Sequence, residues 1–122
     1  MFPLEDRTFE FSKNVISVCR KTPSDLINKN IISQLSRAAT SVGANYCEAN
    51  GASSRQDFRN KIHICKKEAH ESYYWLRLLG DSNEKLRNEI EPLIKESQEL
   101  TLIFGKIVAT MKNSKKSFNN QK

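Results

Sequence analysis

Cationic side chains recur through one segment of this chain at spacings that would set them side by side on a helix. Arg55, Arg59, His63, Lys66, Lys67, His70, Tyr74 and Arg77 share one arc when each residue advances by about 100°, and no carboxylate interrupts them. Guanidinium and ammonium groups arrayed in this way attract phosphate, so the chemistry they point to is electrostatic capture of a polyanion. Arg55, Arg59, Lys66, Lys67 and Arg77 are therefore the candidate contacts to RNA or DNA, with the tail residues Lys115 and Lys116 assisting. Tyr74 adds a flat ring on which an unpaired base could stack. The competing reading of the same arc is a solvated face that touches nothing.

Charge supports an anionic partner: the net value is +6 and the isoelectric point about 9.3. The excess is concentrated in the segment 55–67 and beyond Lys106, whereas Asp81 to Glu99 is net acidic. That asymmetry fits one binding surface and one solvated flank. Bond-making chemistry has little support. Cys19, Cys47 and Cys65 sit in helical patterns without an accompanying Cys-His-acid arrangement, and free cysteine there behaves as a small buried hydrophobe. His63 and His70 share a face but stand two turns apart, about 10 Å along the axis, too far for one ordinary metal site. No Glu-x-x-His pair of a di-metal bundle occurs, and no glycine-rich phosphate loop. The expectation is a non-enzymatic protein with no cofactor and no metal.

A second constellation suggests self-association. On the outer side of the helical pattern 30–49 lie Arg37, Ser41, Ala44 and Glu48, with Thr40 and Gly43 beside them, where a solvent-facing helix would carry lysine and glutamate. Small residues there admit another helix, and Gly43 costs roughly 1 kcal/mol of helix propensity relative to alanine. In the segment 55–79 a line through Ile64, Glu68, Glu71, Trp75 and Leu78 is too apolar at Trp75 and Leu78 to be left in water. Arg37, Ser41, Glu48, Glu68, Glu71 and Trp75 are the candidate oligomer-interface residues, their charges pairing between helices or between subunits.

The elements that position these groups follow from periodicity and punctuation. Helix one is predicted from Leu4 or Glu5, after Pro3, to just before Pro23, with Phe11, Val15 and Val18 on its apolar side. A loop is expected over Thr22–Asn30, and helix two from about Asn30 to Ala49. Asn50 and Gly51 read as a helix end, and Ser53 or Ser54 as the next start. Helix three then reaches Leu79, burying Phe58, Ile62, Cys65, Ala69, Ser72, Leu76 and Leu79, with Gly80 marking its end. Pro92 is expected to kink or restart the last helix, which continues to about Met111 through Leu100, Phe104 and Ile107. Four amphipathic helices with short links imply an all-α antiparallel up-down-up-down four-helix bundle. It spans 1–112, followed by a basic, disordered tail at 113–122. No unbroken apolar run is long enough for a membrane, and the first residues lack a secretory signal, so a cytoplasmic setting is expected.

Two stretches, QLSRAATSVGANYCEA (Gln34 to Ala49) and SRQDFRNKIHICKKEAHESYYWLRLL (Ser54 to Leu79), resemble the helix-two and helix-three signatures of a four-helix-bundle family. That family is named for proteins encoded in intervening sequences of bacterial 23S rRNA genes. Many of its members carry an Asn-Ile-Ala-Glu-Gly run where this chain reads Asn45, Tyr46, Cys47, Glu48, Ala49, so it resembles an Asn-Tyr-x-Glu-Ala branch. The Glu-Gly members are similar to the accessory protein of diversity-generating retroelements, a basic pentameric barrel that binds nucleic acid and a reverse transcriptase. The resemblance implies the bundle fold and a homo-oligomer, a pentamer. The functional expectation is a homo-oligomeric bundle that binds RNA or DNA through its basic face. The alternative is a scaffold that binds another protein without nucleic acid.

Overall fold

A computed structural model of the chain describes residues 3–120, and the side chains of residues 3–112. The first helix, α1 (Leu4–Lys21), opens where Pro3 presets the backbone and its carbonyl accepts the Arg7 amide at 2.9 Å. Glu5 and Asp6 lie against the positive end of the helix dipole, and Arg20 and Lys21 against the negative end. Thr22 closes the helix, its hydroxyl donating to the Val18 carbonyl at 2.9 Å.

The second helix, α2 (Leu26–Asn50), starts four residues before the expected Asn30. Pro23 ends α1, but Asp25 follows at once as a cap, accepting the Asn28 amide at 2.8 Å, which satisfies an otherwise orphaned donor. The added turn carries Leu26 and Ile27 out into solvent, 85% and 65% exposed. After Gly51, Ser54 caps α3 (Arg55–Ser82) by accepting the Asp57 amide at 3.0 Å.

Gly80 does not end α3. It lies buried inside the helix, and a Cβ there would meet Ile90 Cγ2 at 3.3 Å, so the glycine serves close approach to the next helix. A single 3₁₀ turn, Glu84–Leu86, leads into α4 (Arg87–Asn120). That helix begins at Arg87 and passes through Pro92 without starting afresh there. Near the amino-terminal end a proline forfeits one intrahelical bond, here to the Asn88 carbonyl, and the rest of the helix compensates. The expected tail at 113–122, with Lys115 and Lys116, falls where side chains lie outside the described residues.

Among the described residues there are four α-helices and no strand. Each helix packs on the next, and α4 returns to touch α1 more lightly. Contacts pair rising numbers with falling ones. Ser12 meets Ala39 and Thr8 meets Gly43; Arg37 meets Glu68 while Glu48 meets Lys61; Gly80 meets Ile90 while Lys66 meets Gly105. Gly43 therefore does mark close approach, but to α1 of the same chain. Phe11, Val15, Leu35, Val42, Ile62, Leu76, Leu100 and Phe104 fill the interior, so the stripe of α3 expected to be core is core, with Phe58 at its margin.

Candidate nucleic-acid-binding face

The core stripe of α3 leaves it two flanks, one toward α2 and one toward α4, and the polar residues divide cleanly between them. On the α4 flank lie the five expected cations. Arg55 Nη2 donates to the Met111 carbonyl at 3.2 Å. Arg59 is half-buried, with its Nε enclosed and without a hydrogen-bond partner among the described residues. Lys66 lays its stem across α4 at Gly105, where even a Cβ would come within 3.6 Å of its Cε. With Lys67, His63 and His70 it lines a shallow depression closed on the far side by Thr101. Arg77 sits over the Tyr73 ring, 5.3 Å from its centroid, and His70 stacks on the same ring at 6.2 Å.

Among the described residues none of Arg55, Arg59, Lys66, Lys67 and Arg77 forms an ion pair with a carboxylate. Four are exposed and Arg59 is the half-buried exception. Unneutralised positive charge along one inter-helix groove gives a field that attracts anions. Sequence reasoning missed Thr101 and Gly105, because their proximity to the lysines exists only once α3 and α4 are packed.

The α2 flank behaves oppositely. Arg37 Nη1 pairs with Glu68 at 3.0 Å and its Nη2 contacts Glu71. Trp75 donates its indole N–H to the same Glu71 carboxylate at 3.2 Å. Glu48 pairs with Lys61 at 2.8 Å, and the Ser41 hydroxyl donates to the Arg37 carbonyl at 2.6 Å. Burial lowers the Arg37 pKa, but the charges of Glu68 and Glu71 more than reverse it, so the net shift is upward. The charges expected to pair between helices or subunits thus find partners between α2 and α3 of one chain. Ile64 stays 37% exposed on this flank and Trp75 is half-buried, whereas Leu78, expected on the same line, faces the α4 side with Ile90 and Ile94.

The cysteines are dispersed. Cys65 is fully buried with its thiol directed at the Val42 carbonyl, 3.4 Å away, and burial pushes its pKa up to about 12. Burial likewise raises Cys19 to about 11, whereas Cys47 is exposed. Among the described residues no three histidine, cysteine or acidic side chains gather as a metal cluster, and no helix is long and apolar enough to cross a membrane.

Four consecutive helices around one apolar interior, with cations along α3 that form no ion pair among the described residues, define an all-helical protein. By its sequence the chain belongs to the 23S rRNA-intervening sequence protein family, whose model matches residues 4–106. It is similar to a crystal structure of a protein of unknown function from the S23 ribosomal protein family of Bacteroides thetaiotaomicron VPI-5482. The two are 33% identical, superpose with a TM-score of 0.74, and the match covers 87% of this chain and 98% of that one. No curated protein matches the chain.

Proposed function

We propose that the protein is a non-enzymatic, homo-oligomeric, antiparallel up-down-up-down bundle that binds RNA or DNA through the groove between α3 and α4 in the cytoplasm. One observation carries the reading: the cations of that groove lack carboxylate partners among the described residues, whereas the acids of the opposite flank are taken up by Arg37 and Lys61. Unpaired lysine and arginine release counterions when they meet phosphate, so affinity falls steeply with salt. Changing Lys66 and Lys67 together to Gln should lower affinity and flatten the salt dependence by roughly one unit per lost phosphate contact. Helix content should be unchanged. An unaltered salt slope in the variant would remove the groove from consideration and leave the tail lysines.

Self-association is supported by the half-buried Trp75 and the 37% exposed Ile64, which share the outer side of α3 about three turns apart after the nearby charges are satisfied. A pentamer is the assembly the family resemblance suggests. Light scattering at micromolar concentration and moderate salt should give a mass several times that of the 14.0 kDa chain; a monomer would reduce this flank to ordinary surface. The scaffold alternative predicts a protein partner retained at high salt, after bound nucleic acid has been washed away.

A further inference from the structure

The α3–α4 groove continues beyond the lysines. Toward the carboxyl end of α3 it opens into a hollow of about 480 Å³, lined by Tyr74 and Arg77, by the apolar Leu78, Ile90 and Ile94, and by Asp81, Arg87 and Glu91. That volume lies within the range of small-ligand pockets, and an apolar lining with a few converging polar groups is their usual composition. Tyr74 is 56% exposed, and its ring is braced edge-on by Trp75 with centroids 5.0 Å apart at 81°. The neighbouring Tyr73 is covered by His70 and Arg77, so Tyr74 is the ring left open to an incoming one.

The two carboxylates make the hollow unlike the rest of the groove, because they balance the charges of Arg77 and Arg87 beside them. A phosphate gains no net attraction there, whereas a ring offering N–H donors finds acceptors. Arg87 approaches Asp81 only to 3.8 Å, and Glu91 forms no ion pair among the described residues, so both keep free lone pairs. Guanine is the nucleobase with adjacent donors, N1–H and the exocyclic N2–H, that one carboxylate can accept together; uracil sets its single N–H between two carbonyls. In a duplex that edge is consumed by pairing, so the guanine must be unpaired. Lys67 and Tyr74 are two turns apart, about 10 Å along α3, a short step for a flexible single strand.

We infer that this groove takes single-stranded nucleic acid in two parts: phosphates on Lys66 and Lys67, and one unpaired guanine in the Tyr74 hollow, its donor edge accepted by Asp81 and Glu91. The inference rests on the nucleic-acid reading above and adds to it a base preference and a strand preference. Fluorescence anisotropy with the full chain tests it, using an RNA oligonucleotide of about ten uridines, within the usual range of single-strand site sizes, and the same oligonucleotide with one central guanosine. The guanosine strand should bind about 10-fold tighter, and annealing it to its complement should abolish the difference. Asp81→Asn with Glu91→Gln should erase the preference while leaving the uridine strand bound at least as tightly. Tyr74→Ala should weaken the guanosine strand about 5-fold or more, with helix content measured alongside. Equal binding of the two strands, or a preference that survives loss of both carboxylates, overturns the inference. If Lys66→Gln with Lys67→Gln still weakens binding when no preference exists, the hollow alone fails; if neither strand binds, both readings fall together.

Discussion

Cys65 shows how a residue that could do chemistry is turned into packing. Its thiol is enclosed by the core and donates to the Val42 carbonyl, an environment that withholds water from the thiolate and so raises its pKa. The consequence for stability has a definite sign. The folded value of about 12 lies above the ordinary thiol value of 9.0, so the folded chain holds its proton where the unfolded chain has lost it. The contribution is complete below pH 9 and is lost as pH rises toward 12, at up to about 1.4 kcal/mol per pH unit. Urea midpoints at a series of alkaline pH values should therefore fall less steeply for Cys65→Ala than for the parent. Cys65→Ser should cost only about 1 kcal/mol, the low end for a buried hydroxyl, because the Val42 carbonyl is already placed to accept its proton. Parallel midpoint curves for parent and Cys65→Ala would show that the thiol does not titrate differently on folding.

At the scale of elements, the α2–α3 hairpin is the unit whose interior the chain wrote most openly. The break at Asn50 to Ser54, the capping serine and the apolar stripe from Phe58 to Leu79 are local signals, carried by residue type and period. What could not be read locally is where one helix touches another. Asp25 and Pro23 lie so close together that the proline's stop concealed the aspartate's start, and Gly80 resembled a terminator because only Ile90 on α4 explains why a side chain is unwelcome. Arg37 was visibly in need of a partner, but naming Glu68 required the register of two helices. That pair makes a prediction. Glu68 has a side chain only 9% exposed while Arg37 is 49% exposed, so Arg37→Ala strands a nearly buried carboxylate yet removes a cation still half in water. The cost should be about 1–2 kcal/mol, below the full penalty of breaking a buried pair because solvent screens the arginine. Adding Glu68→Gln should recover part of it in a double-mutant cycle on chemical denaturation.

Across the whole molecule, packing is unequal. The helices α2, α3 and α4 form the densely apposed set, whereas α1 leans on α2 and touches α4 more lightly, with ion pairs along that seam. Arg7 bridges Glu96 and Glu99 at 2.6 Å each, and Lys21 reaches Glu89 at 3.2 Å. Such pairs contribute little where solvent reaches them, so the amides of α1 should exchange with deuterium sooner than those of α3 in the native state, and more so at high salt; equal protection would mean that α1 unfolds only with the whole. The site divides by the same logic of local and distant. Its cations were legible along α3 because they share one face of one helix, whereas the hollow at Tyr74 was not, since Ile90, Glu91 and Ile94 come to it from another helix. One pair bears on how these helices come to face each other at all. Asn28 and Asn83 exchange two side-chain hydrogen bonds, 3.0 and 2.9 Å, across 55 residues of chain. Stripes of leucine, alanine and valine would slide past one another by a turn, about 5.4 Å, with modest loss. A slid hairpin would break both bonds and leave the buried Asn28 carbonyl oxygen without its donor, although each amide N–H keeps a local partner in Pro23, Asp25 or Leu79. This pair thus works as a notch on a ruler that favours one alignment of α2 against α3.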